Sequence, residues 1–360
     1  MKRIKRFQIK SLSDLKKIES LWKKLEKGEE MTAFQYFDWN CLLFEKWKSW
    51  YINRLFSKCY VYLYFEGTEV KLIAPVIVKN KTMKNDVLAF HKGIYFLGDN
   101  THSDYLNFIY YSFNRDIVQN MINYIKNDFH GFPFYLNKVR SDNSINSMLH
   151  RDDLSPHSSI QSVSVRIFSS EDEYLSLLSK STRQNLRTSR NRMEKADLEY
   201  QVEVINNTLP LQTIENLIKI HEKRVIAIRE NEYNALKSTK YKSRLIKVYK
   251  HINALEKRYD LVSNSMANLS NSVFIIVKLS GKIVSYLYGL KDKNSIRVIH
   301  NCFDEDYAFY SPMFRGAYDF ILDECKNHTQ GISYLDFTLG NENYKFKLGG
   351  KETIINNFVM

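Results

Sequence analysis

Proline and glycine are scarce, at 5 and 12 of 360 residues. That scarcity excludes collagen-like repeats and Gly/Pro-rich disordered chains, whose compositions depend on those residues. The four cysteines, Cys41, Cys59, Cys302 and Cys325, are scattered and form no CxxC pair. They read as reduced thiols of a cytoplasmic protein rather than as a disulfide framework. The 9 histidines show no HExxH or comparable spacing, so no metal site is expected. No run approaches the roughly eighteen apolar residues of a membrane span, and "MKRIKRFQIK" lacks the apolar stretch that makes a signal peptide. GxSxG, Walker and Rossmann glycine patterns are missing too, which argues against hydrolase and NTPase chemistry.

What the chain does have is a large apolar fraction, 44% with 24 Tyr and 22 Phe, and a formal net charge of +13. The length suggests two domains. The charge favours anionic partners: phosphorylated or nucleotide-linked small molecules, tRNA, or a membrane surface. A DNA partner is not expected.

Periodicity gives an amphipathic helix over 13–26, with Leu15, Ile18, Leu21, Trp22 and Leu25 on one face, and an aromatic helix through Trp39, Leu43 and Trp47. "CYVYLYFEGTEVKLIAPVIVKN" reads as a hairpin, followed by strands in "GIYFLGD" and "DYLNFIY", a helix in "DIVQNMINYIKND" and a strand in "FPFYLNKV". The second half replays this order. A hairpin turns at Ser280-Gly281, "SIRVIHNCF" is a strand, "MFRGAYDFILDECKN" a helix, and "GISYLDF" the next strand. The repetition implies a duplicated α/β unit, with domains at 1–160 and 161–360 joined across the polar stretch 141–159. Two long helices, around 210–230 and 239–258, belong to the second half.

Several side chains stand out as carriers of chemistry. Ser311 is placed as an N-cap before Pro312, leaving the amides of Met313, Phe314 and Arg315 at a helix start that suits a phosphate or a pantetheine chain. That helix faces its core with Phe314, Tyr318, Ile321, Leu322 and Cys325. In "KSTRQNLRTSRNRMEKA", Arg183, Arg187 and Arg190 share one face and read as a phosphate-binding stripe or as a solvated one. His300 alternates with Ile296 and Val298 and is expected in the core. Tyr286 and Tyr288 are candidates to protonate a leaving thiolate, against a packing role. Asp336 ends a strand and Glu342 follows in the loop, where either is placed to take a proton from an amine.

Taken together, "LSKSTRQNLRTSRNRMEK", "GKIVSYLYG", "DYAFYSPMFRGAYDFIL", "GISYLDFTLGNENYKFKLGG" and "TAFQYFDW" resemble the tandem GNAT-fold acyltransferases. That group includes the Fem aminoacyltransferases of peptidoglycan bridges and the BioF-like, cellulose-cluster acetyltransferases. The resemblance implies an α/β (α+β) fold of two GNAT-like domains, each a mixed sheet flanked by helices. It also implies acyl transfer from an acyl-CoA donor such as acetyl-CoA to an amine on a cell-envelope, polysaccharide or metabolite precursor. A Fem-type reaction taking its amino acid from aminoacyl-tRNA is the alternative, and an inactive GNAT-like scaffold the other. Phe346-Lys347-Leu348-Gly349 matches the Phe-Lys-x-Gly motif, which makes Lys347 the charge that steadies a developing oxyanion and puts Phe346 beside the donor. Lys345 points the other way if this segment is extended. The usual glycine-rich pyrophosphate loop is reduced here to Gly316 in "FYSPMFRGA", a departure from the acetyl-CoA pattern.

Overall fold

A computed structural model describes residues 2–49, 57–83, 86–99, 103–235 and 262–360. It divides into two compact units, Met1–Ser162 with Glu352–Met360, and Val163–Lys351. The last strand goes to the first unit rather than the second.

In the first unit, β1 (Lys2–Ile9), β2 (Ser57–Glu66), β3 (Glu69–Met83) and β4 (Asp86–Phe96) pair antiparallel in that order. The turn between β2 and β3 uses Gly67 at φ +62, a conformation glycine adopts without Cβ strain. The short β5 (Ile109–Tyr110) pairs with β3. A helix, α4 (Arg115–Asp128), then crosses to β6 (Phe134–Arg140), which runs parallel to β4. Asn114 caps that helix through the Ile117 amide at 3.1 Å, and Ile117, Val118, Met121, Ile122 and Ile125 form its buried face. β13 (Lys351–Val359) pairs antiparallel to β6, burying Ile355 and Phe358.

The helix expected over 13–26 is two pieces, α1 (Leu12–Lys16) and α2 (Glu19–Leu25), separated at Ile18 with φ −113. Of the five residues expected to face inward, Leu15, Ile18, Trp22 and Leu25 are buried and Leu21 is only partly so. Periodicity thus found the face but not the break. α3 (Phe37–Ser49) buries Trp39 and Leu43. Within the polar stretch 141–159 lies a helix, α5 (Ser144–Arg151), whose Ile145, Met148 and Leu149 are buried at the i, i+3, i+4 spacing of a helical face.

The second unit repeats the topology. β7 (Ser158–Arg166) runs across the division at Ser162 and Val163; α6 (Glu171–Leu177) and α7 (Lys180–Lys195) follow, and β8 (Tyr200–Asn206) precedes the helix α8 (Leu211–Ala235). β8, β9 (Ser272–Leu279), β10 (Lys282–Lys291) and β11 (Ser295–Phe303) are antiparallel neighbours. α9 (Pro312–Asn327) then leads to β12 (Tyr334–Leu339), parallel to β11, and α10 (Asn343–Lys347) follows. In each unit, four antiparallel strands are followed by a helix and a strand parallel to the fourth. The helix expected over 239–258 falls outside the described residues. The turn at Ser280 and Gly281 has φ +46 and +79, as a tight hairpin with right-handed twist needs.

α9 packs on this sheet through Met313, Ala317, Phe320 and Ile321, against Val273, Ile275, Leu287 and Val298. Its buried stripe is rotated from the expected one: Cys325 and Ile321 lie inside, while Phe314, Tyr318 and Leu322 are only partly buried. Gly316 fixes the rotation, since a Cβ there would meet Cγ2 of Val277 at 2.4 Å. Burying a side chain the size of Phe320 contributes about 2 kcal/mol, so the stripe outweighs the propensity of any single position.

Candidate active site

β11 and β12 part soon after they meet. Their parallel pairing is limited to Ser295–Tyr334, Ile296–Leu335 and Arg297–Asp336. Past that point Thr338 takes φ +55, a strained conformation for a β-branched residue. It is held there by its amide on Oδ1 of Asp336 at 2.7 Å and by its hydroxyl on the Val298 carbonyl at 2.9 Å. The fork is anchored by Arg297, which is 7% exposed. Its guanidinium donates to Asp292 at 2.8 Å and to Asp336. Asp336 is therefore a buried ion-pair partner, and the role of proton acceptor read from its position at the strand end is withdrawn.

A β-bulge sits at the same level of β11. Tyr288 pairs with His300, but the next residue, Gly289, pairs with Val298, so Ile299 is an extra residue on β11. An inserted residue reverses the alternation of faces. His300 therefore shares a face with Tyr286 and Tyr288, opposite Ile296 and Val298, contrary to simple alternation. Its Nδ1 is 2.9 Å from the Tyr286 hydroxyl, and its ring centroid is 4.3 Å from that of His221 on α8. Tyr286 is fully buried. A hydroxyl in that position cannot meet a leaving thiolate directly, so it is a core partner of His300 rather than the acid. Tyr288 is equally buried, stacks on Phe274 at 4.8 Å, and is pushed well above the usual tyrosine range by burial.

At the start of α9, Ser311 has φ +50 and ψ +48, and its side chain makes no cap hydrogen bond, so the expected N-cap is not formed. Pro312 does occupy the first turn. The Arg315 amide bonds the Ser311 carbonyl at 3.0 Å, which leaves Met313 and Phe314 as the first-turn amides beyond the helical ladder. The Arg315 side chain is committed. It donates to Asp319 at 2.8 Å and lies over the rings of Tyr318 and Tyr200 at 5.4 and 5.7 Å. It is a packing cation of the helix, not a charge waiting for a ligand.

The arginines of α7 divide as well. Arg183 donates to the Leu175 carbonyl at 3.1 Å and Arg190 to Glu194 at 2.8 Å. Arg187 is exposed and has no hydrogen bond or ion pair among the described residues. Arg192, which sequence reasoning passed over, stacks on Phe309 at 4.0 Å and donates to its carbonyl at 3.0 Å.

"YKFKLGG" is a helical turn, not an extended segment. In α10, Lys345 is 2% exposed and its ammonium donates to the carbonyls of Phe337, Leu339 and Gly340 at 3.1, 3.0 and 3.1 Å. It thus holds the end of the diverging strand. Glu342 pairs with the same ammonium at 2.8 Å. Burial would raise the Glu342 carboxyl, but the hydrogen bond and charge of Lys345 together with a backbone hydrogen bond outweigh it and hold the group below the usual range. Phe346 and Lys347 are exposed. Gly349 has φ +83, and a Cβ on Gly350 would meet Val163 at 2.5 Å and the Lys345 carbonyl at 2.6 Å. The glycine pair lets the chain turn tightly beneath that buried lysine. Tyr344 reaches back across the fork, its hydroxyl 3.5 Å from Asn301 on β11.

Among the described residues, no helix is long and apolar enough to cross a membrane, and no three His, Cys, Asp or Glu side chains gather as a metal set. What remains is a wedge between β11 and β12, with the start of α9 nearby in sequence and α10 at its far end. Parted strands offer backbone donors and acceptors to an extended, amide-bearing ligand.

Residues 180–346 match the family model described as "Acetyltransferase (GNAT) domain". No curated protein matches the chain. Among solved structures, FemX is similar at 13% identity and TM-score 0.53, covering 99% of this chain and 96% of that one. L-PGS from Bacillus licheniformis aligns at 10% identity and TM-score 0.48, over 95% and 90% of the two chains. A tandem GNAT protein from the clavulanic acid biosynthesis pathway aligns at 7% identity and TM-score 0.44, over 99% and 98%. Residues 180–346 of the second unit thus match a GNAT acetyltransferase domain, and the chain shares the fold of FemX.

Proposed function

We propose that the chain moves an acyl group from an acyl-CoA-type thioester to an amine on a cell-envelope, polysaccharide or metabolite precursor. The observation that carries this reading is the fork of β11 and β12, held open by Arg297, Thr338 and Lys345. A pantetheine-like arm is a chain of amides, which suits such a wedge, and the Met313 and Phe314 amides at the α9 start suit its phosphates. The amine nitrogen bonds the thioester carbon, the C–S bond breaks, and the sulfur leaves as a thiolate that takes up a proton. Holding the two reactants together supplies much of the rate. Lys347 is the cation for developing negative charge, and Phe346 covers the donor beside it. Because Lys347 is exposed, solvent screens it, and its share is smaller than that of a buried oxyanion donor. Glu342 takes the proton of the attacking amine, and as a carboxylate held low it is a weak base that demands an already neutral amine.

The net charge of +13 and the exposed Arg187 favour a second reading, in which aminoacyl-tRNA is the donor. One experiment separates these. Purified protein is incubated with an acyl-CoA panel and amine acceptors while free thiol is followed, and in parallel with aminoacyl-tRNA at rising salt. Thiol release dependent on amine supports the first reading. Transfer from tRNA that collapses between low and physiological salt supports the second. Transfer in neither arm sinks both and leaves an inactive binding scaffold.

A further inference from the structure

Between β11 and α9 the chain makes a 3-10 turn, Glu305–Tyr310. It carries an aromatic side chain that core packing does not explain. Phe309 is 60% exposed, whereas neither β11 before the turn nor α9 after it exposes a large apolar side chain. The ring is nonetheless held in place. The Arg192 guanidinium lies over it at 4.0 Å and donates to the Phe309 carbonyl at 3.0 Å. Ser189, also on α7, donates to the next carbonyl, that of Tyr310, at 2.5 Å. The Tyr310 ring meets Phe309 edge to face at 5.5 Å. A lone apolar side chain at a surface is ordinary. A solvent-facing ring fixed beneath a guanidinium is different, because it offers a rigid stacking surface for a planar group.

The charges around the turn leave that cation uncompensated. Asp304 meets Lys223 at 2.7 Å and Lys282 at 3.3 Å, and Asp306 pairs with Lys223 as well. Glu305 lies 3.6 Å from Arg224. The three carboxylates of this stretch are thus engaged with other cations. Arg192 has no carboxylate partner among the described residues; its contacts are the ring and the carbonyl of Phe309. The position of the platform matters too. Only Tyr310, Ser311 and Pro312 separate Phe309 from the Met313 amide at the start of α9.

We infer that Phe309, held by Arg192, is the platform on which the adenine of a nucleotide-linked donor stacks. The inference rests on the acyl-transfer reading of the second unit and places a part of the donor that the reading leaves unassigned. Both donors considered for that reading carry the same group: acyl-CoA has an adenosine phosphate, and aminoacyl-tRNA ends in an adenosine. An adenosine phosphate presents its base one ribose away from its phosphate, so a base platform belongs close to the phosphate-binding helix start. Arg192 is a positioning residue, since it fixes the ring, and its charge strengthens stacking of an electron-rich base.

Steady-state kinetics of the full chain with acetyl-CoA and acetyl-pantetheine test it, because only the first thioester carries an adenine. Phe309→Ala should raise KM for acetyl-CoA about tenfold with kcat unchanged, and leave KM for acetyl-pantetheine where it was. Phe309→Trp should keep KM for acetyl-CoA near its starting value. Arg192→Gln should raise it severalfold, again only with acetyl-CoA. Tyr111→Ala removes a ring that is 62% exposed in the first unit and should change neither KM. Far-ultraviolet circular dichroism checks that each variant is folded. An equal rise with both thioesters makes Phe309 a structural residue, and no rise with either leaves it without a ligand. Each result overturns the inference, as does a rise in Tyr111→Ala. Failure of the acyl-transfer reading looks different, since neither thioester is then consumed. Calorimetric titration with CoA and with an aminoacylated RNA minihelix decides in that case and also distinguishes the two sources of adenine. Binding of one of them that weakens about tenfold in Phe309→Ala sustains the platform. Binding of neither, or equal binding by the variant, overturns it.

Discussion

Lys345 and Lys347 are two positions apart in one short helix and live in opposite surroundings. Lys345 is sealed beneath the turn and gives its protons to backbone carbonyls and to Glu342. Replacing it with methionine leaves those carbonyls without a donor, so Lys345→Met should cost on the order of 3 kcal/mol in chemical denaturation. Lys347→Ala should leave the denaturation midpoint where it is and lower turnover about tenfold, the scale of a solvent-screened charge contact. An unchanged turnover would remove Lys347 from the reaction. Asp304 makes a different kind of prediction. Burial would raise its carboxyl, but hydrogen bonds from Lys223, the Asp306 amide and Lys282 prevail and hold it below the usual range. A carboxyl lowered in the folded state stabilises above its unfolded pKa of about 4 and loses that contribution as pH falls through the folded value. Urea unfolding at pH 7 and pH 3 should therefore show a drop that is smaller in Asp304→Asn.

Among elements, the fork between β11 and β12 depends on a charge arrangement that removal of one member should break. Arg297→Met leaves Asp292 and Asp336 buried without their shared cation, at about 3–5 kcal/mol, measurable as a lower urea midpoint. Asp336→Asn in the same chain should restore part of that loss. Much of this level was readable in advance. α7 and α9 declare themselves through periodicity and Pro312, and the hairpins through Glu-Gly-Thr-Glu and Ser280-Gly281. The site was less readable, for reasons that differ by residue. Asp336 looked like a free carboxylate because its partner is 39 positions away and only the strand register brings them together. His300 was assigned to the wrong face because a single-residue bulge leaves no mark in the hydrophobic pattern. "YKFKLGG" is too short for helical periodicity to register, so the two lysines were sorted by an extended geometry the segment does not adopt. Ser311 has the residue type of a cap but not the backbone conformation.

At the scale of the molecule, the two units repeat one topology, yet the chain does not divide between them at a single point. Residues 352–360 belong to the first unit, where β13 pairs with β6 and buries Ile355 and Phe358. Truncation after residue 351 should therefore destabilise the first unit while the second keeps its protection. Hydrogen exchange resolved by peptide would show fast exchange over β6 and slow exchange over β9 and β10; the reverse pattern would refute this division. The same strand bears on synthesis. A ribosome delivers chains from the N-terminus and domains tend to fold as they emerge. Here the earlier-made half must wait, with one sheet edge uncovered, until the whole later half has been translated. Such a nascent chain invites chaperone attention at that edge, and slowing elongation across the second unit would prolong its vulnerability instead of easing its folding.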